Sequence, residues 1–160
     1  MEFTLRDFHP EDFETLWRID QECFPPGISY TPRELTAYMR RHGSFTLLAE
    51  SHASDAHSGI VGFLLAEMGR HGLGHIITID VIPGARKLGI GSQMLAAAEA
   101  RLRTAQCHSV LLETAVDNLP ALAFYKRHHY DVMKTIPRYY SNGLDALALR
   151  KNLLPPMVSP

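Results

Sequence analysis

Apolar residues recur along the chain with two periods, and each period marks a kind of element. Phe3 and Leu5 alternate with polar neighbours, which predicts a short first strand. Pro10-Glu11-Asp12 opens a helix whose face carries Phe13, Leu16, Trp17, Asp20, Cys23 and Phe24. It runs to about residue 23, with Trp17 in the core. Beyond the turn-rich Phe24-Pro25-Pro26-Gly27-Ile28-Ser29-Tyr30, Thr31-Pro32-Arg33-Glu34 forms a capping box with proline at the first helical position, starting a shorter helix to about Arg41. Ser44 to Glu50 and Gly59 to Met68 are strand-like and joined by a polar hairpin loop, residues 51–58. Ile76-Ile77-Thr78-Ile79-Asp80-Val81-Ile82 is almost wholly apolar and β-branched, which predicts a strand covered on both faces. Met94, Leu95, Ala98, Leu102 and Ala105 then recur every three or four positions, a long helix with one buried stripe. Ser109 to Thr114 is another apolar strand. Asp117-Asn118-Leu119-Pro120 supplies the cap and early proline of a helix to about residue 128, and strands follow at Tyr130 to Ile136 and Ala146 to Arg150.

The resulting order is strand, two helices, three strands, helix, strand, helix, two strands. A strand-helix-strand stretch in the middle requires a right-handed crossover onto a parallel neighbour, while the short loops elsewhere favour antiparallel hairpins. The expected class is α/β: a mixed, mostly antiparallel sheet with one parallel pair, flanked by four helices. Residues 1–152 are expected to form one domain, and 153–160, with three prolines, a flexible tail.

Composition narrows the partners. A chain of 160 residues can bury a core without disulfides or metals, and a net charge of −1 offers no global field for nucleic acid or an anionic membrane. Cys23 and Cys107 are isolated and are expected to be free thiols in a reducing compartment. The N-terminus lacks a secretion signal and no apolar run has the length of a membrane span, so the cytoplasm is the expected location. His52 and His57 sit in the polar loop without cysteines nearby and are expected to be solvated. No metal site is expected there or at His128-His129. A monomer or weak dimer is the expected state.

The chemistry begins at Val81-Ile82-Pro83-Gly84-Ala85-Arg86-Lys87-Leu88-Gly89-Ile90-Gly91-Ser92, which joins the apolar strand to the long helix. Glycines in such a turn leave backbone N–H groups at the positive end of a helix dipole, where phosphate oxygens bind. Gly84 and Gly89 have the spacing of a nucleoside-triphosphate loop, but Ile90 stands where its lysine should be. The dinucleotide fingerprint fails too, because Gly89-Ile90-Gly91-Ser92-Gln93 runs into Met94 in place of the third glycine.

Arg86-Lys87-Leu88-Gly89-Ile90-Gly91 does resemble the [Gln/Arg]-x-x-Gly-x-[Gly/Ala] signature of the GNAT superfamily of N-acetyltransferases. Three further stretches are similar to the N-terminal protein acetyltransferases within it, those of the ribosomal-protein-alanine type most of all. They are Leu112-Glu113-Thr114 through Asn118 to Tyr125, the Tyr139-Tyr140-Ser141-Asn142-Gly143-Leu144-Asp145-Ala146 hairpin, and the Phe24-to-Tyr30 loop. Where the family has Leu-Gly-Phe after the last helix, this chain has His128-His129-Tyr130, so a non-glycine residue is expected at positive φ.

The resemblance implies acetyl-coenzyme A as donor and direct attack by an amine, with neither cysteine as a nucleophile. It places the pyrophosphate on the backbone of Arg86, Lys87, Leu88, Gly89, Ile90 and Gly91, and the pantetheine along the edge of Asp80, Val81 and Ile82. Ser92 would add a hydroxyl and Asn118 would contact the cofactor arm; for Lys87 a solvated surface role stands beside phosphate contact. Tyr125 would be the general acid toward the leaving sulfur, against the alternative of a packed helix aromatic. Glu113, ending a parallel strand where open α/β sheets collect ligands, would be the base through a water, against the alternative of a carboxylate paired with a cation. His75, aligned with a catalytic tyrosine of some eukaryotic relatives, would assist deprotonation or would simply be a strand-end histidine. Phe24, Pro26, Ile28, Tyr30, Tyr139 and Tyr140 would grip the first residues of a peptide. An N-terminal amine, with a pKa of about 8 against about 10.4 for lysine, suits so modest a base. A small-molecule amine acetyltransferase and a non-catalytic acetyl-coenzyme A-binding module remain as other readings.

Overall fold

The computed structural model describes residues 2–52 and 59–154. Seven strands form one sheet in the order β1-β2-β3-β4-β5-β7-β6. They are β1 (Phe3–Asp7), β2 (Ser44–Ser51), β3 (Gly59–Met68), β4 (Leu73–Val81), β5 (Ser109–Ala115), β6 (Asp131–Ile136) and β7 (Ala146–Asn152). The helices are α1 (Phe13–Cys23), α2 (Pro32–Met39), α3 (Ile90–Thr104) and α4 (Leu119–Arg127). Among the described residues every pairing is antiparallel except β4 with β5, as the crossover through α3 requires.

Local signals act where the sequence places them. The Thr31 hydroxyl accepts from the Glu34 N–H at 3.1 Å while the Glu34 carboxylate accepts from the Thr31 N–H at 3.0 Å, so the capping box starts α2. Asn118 Oδ1 accepts from the Ala121 N–H and starts α4. His129 takes φ +70° where the family has glycine. Two buried clusters lie on the two faces of the sheet. One joins α3 and α4 to Leu47, Leu64, Ile76 and Leu112; the other joins Leu16, Ile19 and Leu35 of α1 and α2 to Leu48, Phe63 and Leu65.

Three expectations are corrected. β4 begins at Leu73, and a bulge opposite Leu65/Ala66 skips Ile77 in the pairing. The bulge reverses which face each later residue serves: Ile76 and Ile79 pack with α3, Ile77 packs with α1 and α2, and the polar Thr78 and Asp80 are buried. α3 ends at Thr104, leaving Ala105 exposed beyond the buried stripe. Leu153 is not part of a loose tail: it is 3% exposed in the α3 cluster, its N–H bonds the His108 carbonyl, and its own carbonyl accepts from Arg103. Residues 155–160 and the loop position His57 lie outside the described residues. His52 is described, sharing a hydrogen bond of 2.9 Å with the Thr4 hydroxyl.

Candidate active site

The site is opened by a mismatch of lengths. β4 and β5 pair over only three residues, Leu73 to His75 against Ser109 to Leu111, although β4 continues to Val81 and β5 to Ala115. Past that point the two parallel strands part and expose unpaired edges to a cleft. On the β3 side the Ile82 N–H bonds the Val61 carbonyl at 2.9 Å. Alternation turns Asp80 and Ile82 toward β3 and Val81 toward the cleft. Of the three strand residues expected to line a cofactor arm, Val81 therefore offers its backbone. Its carbonyl accepts from Arg86 Nε at 2.9 Å and from the Cys23 thiol.

Beyond β4 the chain makes a single 3₁₀ turn at Pro83–Ala85, with Ala85 fully buried. Lys87 (φ +64°) and Gly89 (φ +84°) are both left-handed, which folds the loop so that α3 begins at Ile90. Ile90, Gly91 and Ser92 occupy its first turn, where N–H groups have no intrahelical acceptor, whereas the Arg86 N–H, expected in the same array, bonds the Pro83 carbonyl. A Cβ at Gly89 meets nothing within 4 Å; its φ is what requires glycine. Gly91 has ordinary φ, and a Cβ there would only touch the Phe124 ring at 3.4 Å. Lys87 and Leu88 are exposed. The Ser92 hydroxyl is already engaged, 2.9 Å from His128 Nε2, and burial lowers the His128 pKa.

At the point where the strands part, His75 Nε2 bonds Glu113 Oε2 at 2.6 Å. Its other ring nitrogen lies 3.6 Å from Glu67 Oε1, and Arg41 holds Glu67 at 3.2 Å. Burial pulls the His75 imidazolium down, but the Glu113 hydrogen bond and the charges of Glu113 and Glu67 more than offset it, so its pKa is raised above 6.5. Below that value the pair is an imidazolium and a carboxylate. Above it, His75 is free to take a proton. The stabilisation that comes from the tighter binding of the His75 proton is lost as pH rises through the raised value.

Tyr125 is 8% exposed on α4, edge-on to Phe124 and Tyr130. Burial drives its pKa up, with Asp80 and Tyr140 adding to the shift, so the hydroxyl stays protonated. Asn118 has its carbonyl on α4 and leaves its amide group for another partner. Burial pushes the Cys23 thiol up to about 12, Asp80 contributing, which keeps it a thiol at neutral pH. No cluster of three or more potential metal ligands occurs among the described residues.

Above the His75–Glu113 pair, two loops meet. The Gly27 carbonyl accepts from the Ser141 N–H at 3.2 Å and from its hydroxyl at 3.0 Å. Tyr30 stands edge-on to Tyr38 at 5.4 Å, and Tyr139 edge-on to Tyr140 at 4.9 Å. Burial raises Tyr139 to about 12 and Tyr140 further, and both feel the charge of Glu113. Phe24 and Ile28 are half-buried in the same loop and Pro26 is exposed. Glu67, Arg41 and Tyr38 belong to this arrangement and carry no motif; only the pairing of β3 with β4, Glu67 opposite His75, brings the carboxylate in.

Residues 13–130 match the model of the acetyltransferase (GNAT) family. The chain belongs to that family. It is an acetyl-CoA-dependent N-acetyltransferase. Over 148 residues it is 30% identical to an uncharacterized N-acetyltransferase, MJ1530, of Methanocaldococcus jannaschii, covering 92% of this chain and 90% of that one. It is 27% identical to an N-alpha-acetyltransferase of Sulfolobus acidocaldarius, covering 84% and 83%. The crystal structure of Ard1 from Thermoplasma volcanium superposes with a TM-score of 0.84 at 26% identity, covering 97% of this chain and all of that one. The ribosomal-protein-S18-alanine N-acetyltransferase of Escherichia coli shares the fold, with a TM-score of 0.82 at 15% identity over 99% and 97% of the two chains.

Proposed function

We propose that this acetyltransferase modifies the α-amino group at the N-terminus of a protein or peptide. The observation that carries the reading is the His75–Glu113 pair, whose charge reaches the Tyr139 and Tyr140 phenols of a loop that is joined to the Phe24–Tyr30 loop at Gly27 and Ser141. Relatives described as N-alpha-acetyltransferases, the Sulfolobus acidocaldarius protein among them, support it.

Bound acetyl-CoA supplies an activated thioester acyl group. The backbone N–H groups of Leu88 to Ser92 would hold phosphate oxygens, the Val81 edge of β4, whose carbonyl is already taken by Arg86 and Cys23, would face the pantetheine, and the Asn118 amide would steady the same arm. His75, in its neutral form and oriented by Glu113, takes the proton of the incoming ammonium. That step is modest for an amine of pKa about 8. Tyr125, which keeps its proton at Oη, would give that proton to the departing sulfur, and the second proton released by the nitrogen as the amide forms would restore the phenol. Within the class, the motifs resemble the ribosomal-protein-alanine enzymes, so peptides beginning with alanine are the first acceptors to try.

Mass spectrometry of a peptide library incubated with enzyme and acetyl-CoA tests the reading. Acetylation confined to α-amines, with a preference in the first two residues, is expected. Turnover of polyamines or aminoglycosides with all peptides untouched would replace it by a small-amine enzyme, and binding of acetyl-CoA without turnover of any amine would make the protein a binding module.

A further inference from the structure

On the face of the sheet covered by α1 and α2, two carboxyl groups meet in the core. Asp20 of α1 and Asp80 of β4 are 0% and 1% exposed, and their side chains are in hydrogen-bonding contact. Asp20 Oδ2 accepts from the Tyr30 N–H at 2.7 Å, and Asp80 Oδ1 accepts from the Thr78 hydroxyl. The remaining oxygens, Asp20 Oδ1 and Asp80 Oδ2, are buried and have no N–H or O–H donor. Two carboxylates in that position would repel in a medium of low dielectric, and a contact between them requires a proton.

We propose that Asp20 and Asp80 hold one shared proton, and that this proton clamps the acceptor loop, through Tyr30, onto the strand whose free edge lines the transfer cleft. The two are positioning residues. The clamp rests on reading the Phe24–Tyr30 segment as part of the acceptor channel.

The local bonds decide where the proton sits. Asp20 already takes an N–H from Tyr30, which favours its ionised form; Asp80 has only a neutral hydroxyl. The proton therefore resides on Asp80 Oδ2 and is donated to Asp20 Oδ1. Burial raises both groups, Asp80 further, the neighbouring carboxylate adding to its shift. The other charged or titratable groups facing the pair are Cys23 on α1, Tyr30 on the loop, Glu34 on α2, Arg86 after β4 and Tyr125 on α4. Of these Arg86 is the cation and favours the ionised form of Asp80, and Glu34 opposes ionisation of Asp20. Because the native pair binds its proton more tightly than the unfolded chain does, the clamp is complete in acid and is lost as pH rises through the native ionisation. A neutral Asp80 also leaves Tyr125 a better acid than a charged one would.

The test compares wild type with Asp20→Asn and Asp20→Ala across neutral and alkaline pH, using two measurements. One is KM for an acceptor peptide; the other is the hydrogen-exchange protection of the Tyr30 amide, which needs no acceptor. In Asp20→Asn the side-chain carbonyl keeps the Tyr30 N–H while the amide donates to Asp80 without a titrating proton. The wild-type KM should rise toward alkaline pH relative to that variant, and Tyr30 protection should fall in wild type alone. Asp20→Ala, with the Tyr30 bond and the bridge both gone, should raise KM about tenfold at every pH. Parallel pH curves for wild type and Asp20→Asn in both measurements would overturn the proposal. If wild type acetylates no peptide, the acceptor reading fails separately, and Tyr30 protection still decides the clamp.

Discussion

The two halves of the cleft are built from different materials. On the proposed donor side, Val81 to Ser92 would act through backbone: the first-turn N–H groups of α3, a strand edge and a left-handed Gly89. On the proposed acceptor side, His75, Glu113, Tyr30, Tyr139 and Tyr140 would act through side chains from two strands and two loops. A backbone site depends on chain geometry and tolerates most side chains; a side-chain site depends on residue identity and on long-range pairing. Substitutions should therefore separate the halves kinetically.

The largest effect is expected where the halves meet. Tyr125→Phe removes the proton offered to the leaving sulfur and keeps the ring packing, so kcat should fall about a hundredfold with KM for acetyl-CoA nearly unchanged. An unchanged kcat would reduce Tyr125 to a packed aromatic.

Glu113→Gln comes next. It removes the hydrogen bond and the charge that hold the His75 pKa up, so the ascending limb of kcat/KM against pH should move to lower pH while the plateau drops about tenfold or more. His75→Ala should abolish that limb. A pH profile unmoved by either substitution would dissociate the pair from proton removal.

Gly89→Ala tests the donor side alone. Forcing a Cβ into φ +84° costs about 1–2 kcal/mol, which should appear as about a tenfold rise in KM for acetyl-CoA with the acceptor KM unaffected. The smallest effect is expected at Gly91→Ala, which needs no unusual φ and meets only the Phe124 ring; stability and both KM values should stay close to wild type. Equal losses at Gly89 and Gly91 would mean that space, not conformation, selects glycine in this loop.

This division also explains what could be read from the chain. The donor half is contiguous, so its strand, turn and helix start lie within one stretch whose periodicity and glycine spacing are visible. The element order and the parallel crossover followed from the same local signals. The acceptor half joins residues far apart in sequence: Glu67 reaches His75 through the β3–β4 register, Arg41 reaches Glu67 from the end of α2, and Tyr38 meets Tyr30 across the start of α2. None of these has a period. The bulge at Ile77 escaped for a related reason: an apolar run looks the same with or without a skipped pair, yet the skip is what puts Asp80 beside Asp20. Gly62 carried no signal either, although a Cβ there would lie 2.6 Å from the Asp80 carbonyl, so β3 can approach β4 closely only because the residue is glycine. Leu153 was hidden by the prolines that follow it.

The central claim is that the site around His75 and Glu113 receives an N-terminal amine. The direct measurement offers the enzyme two peptides of identical sequence beginning with alanine and containing one lysine, one peptide with a free α-amine and the other with that amine blocked, and locates any acetyl group by fragmentation. Acetylation of the first peptide at its α-amine, with the blocked peptide left unmodified, is the result the account requires; acetylation of lysine in the blocked peptide at a comparable rate would contradict it.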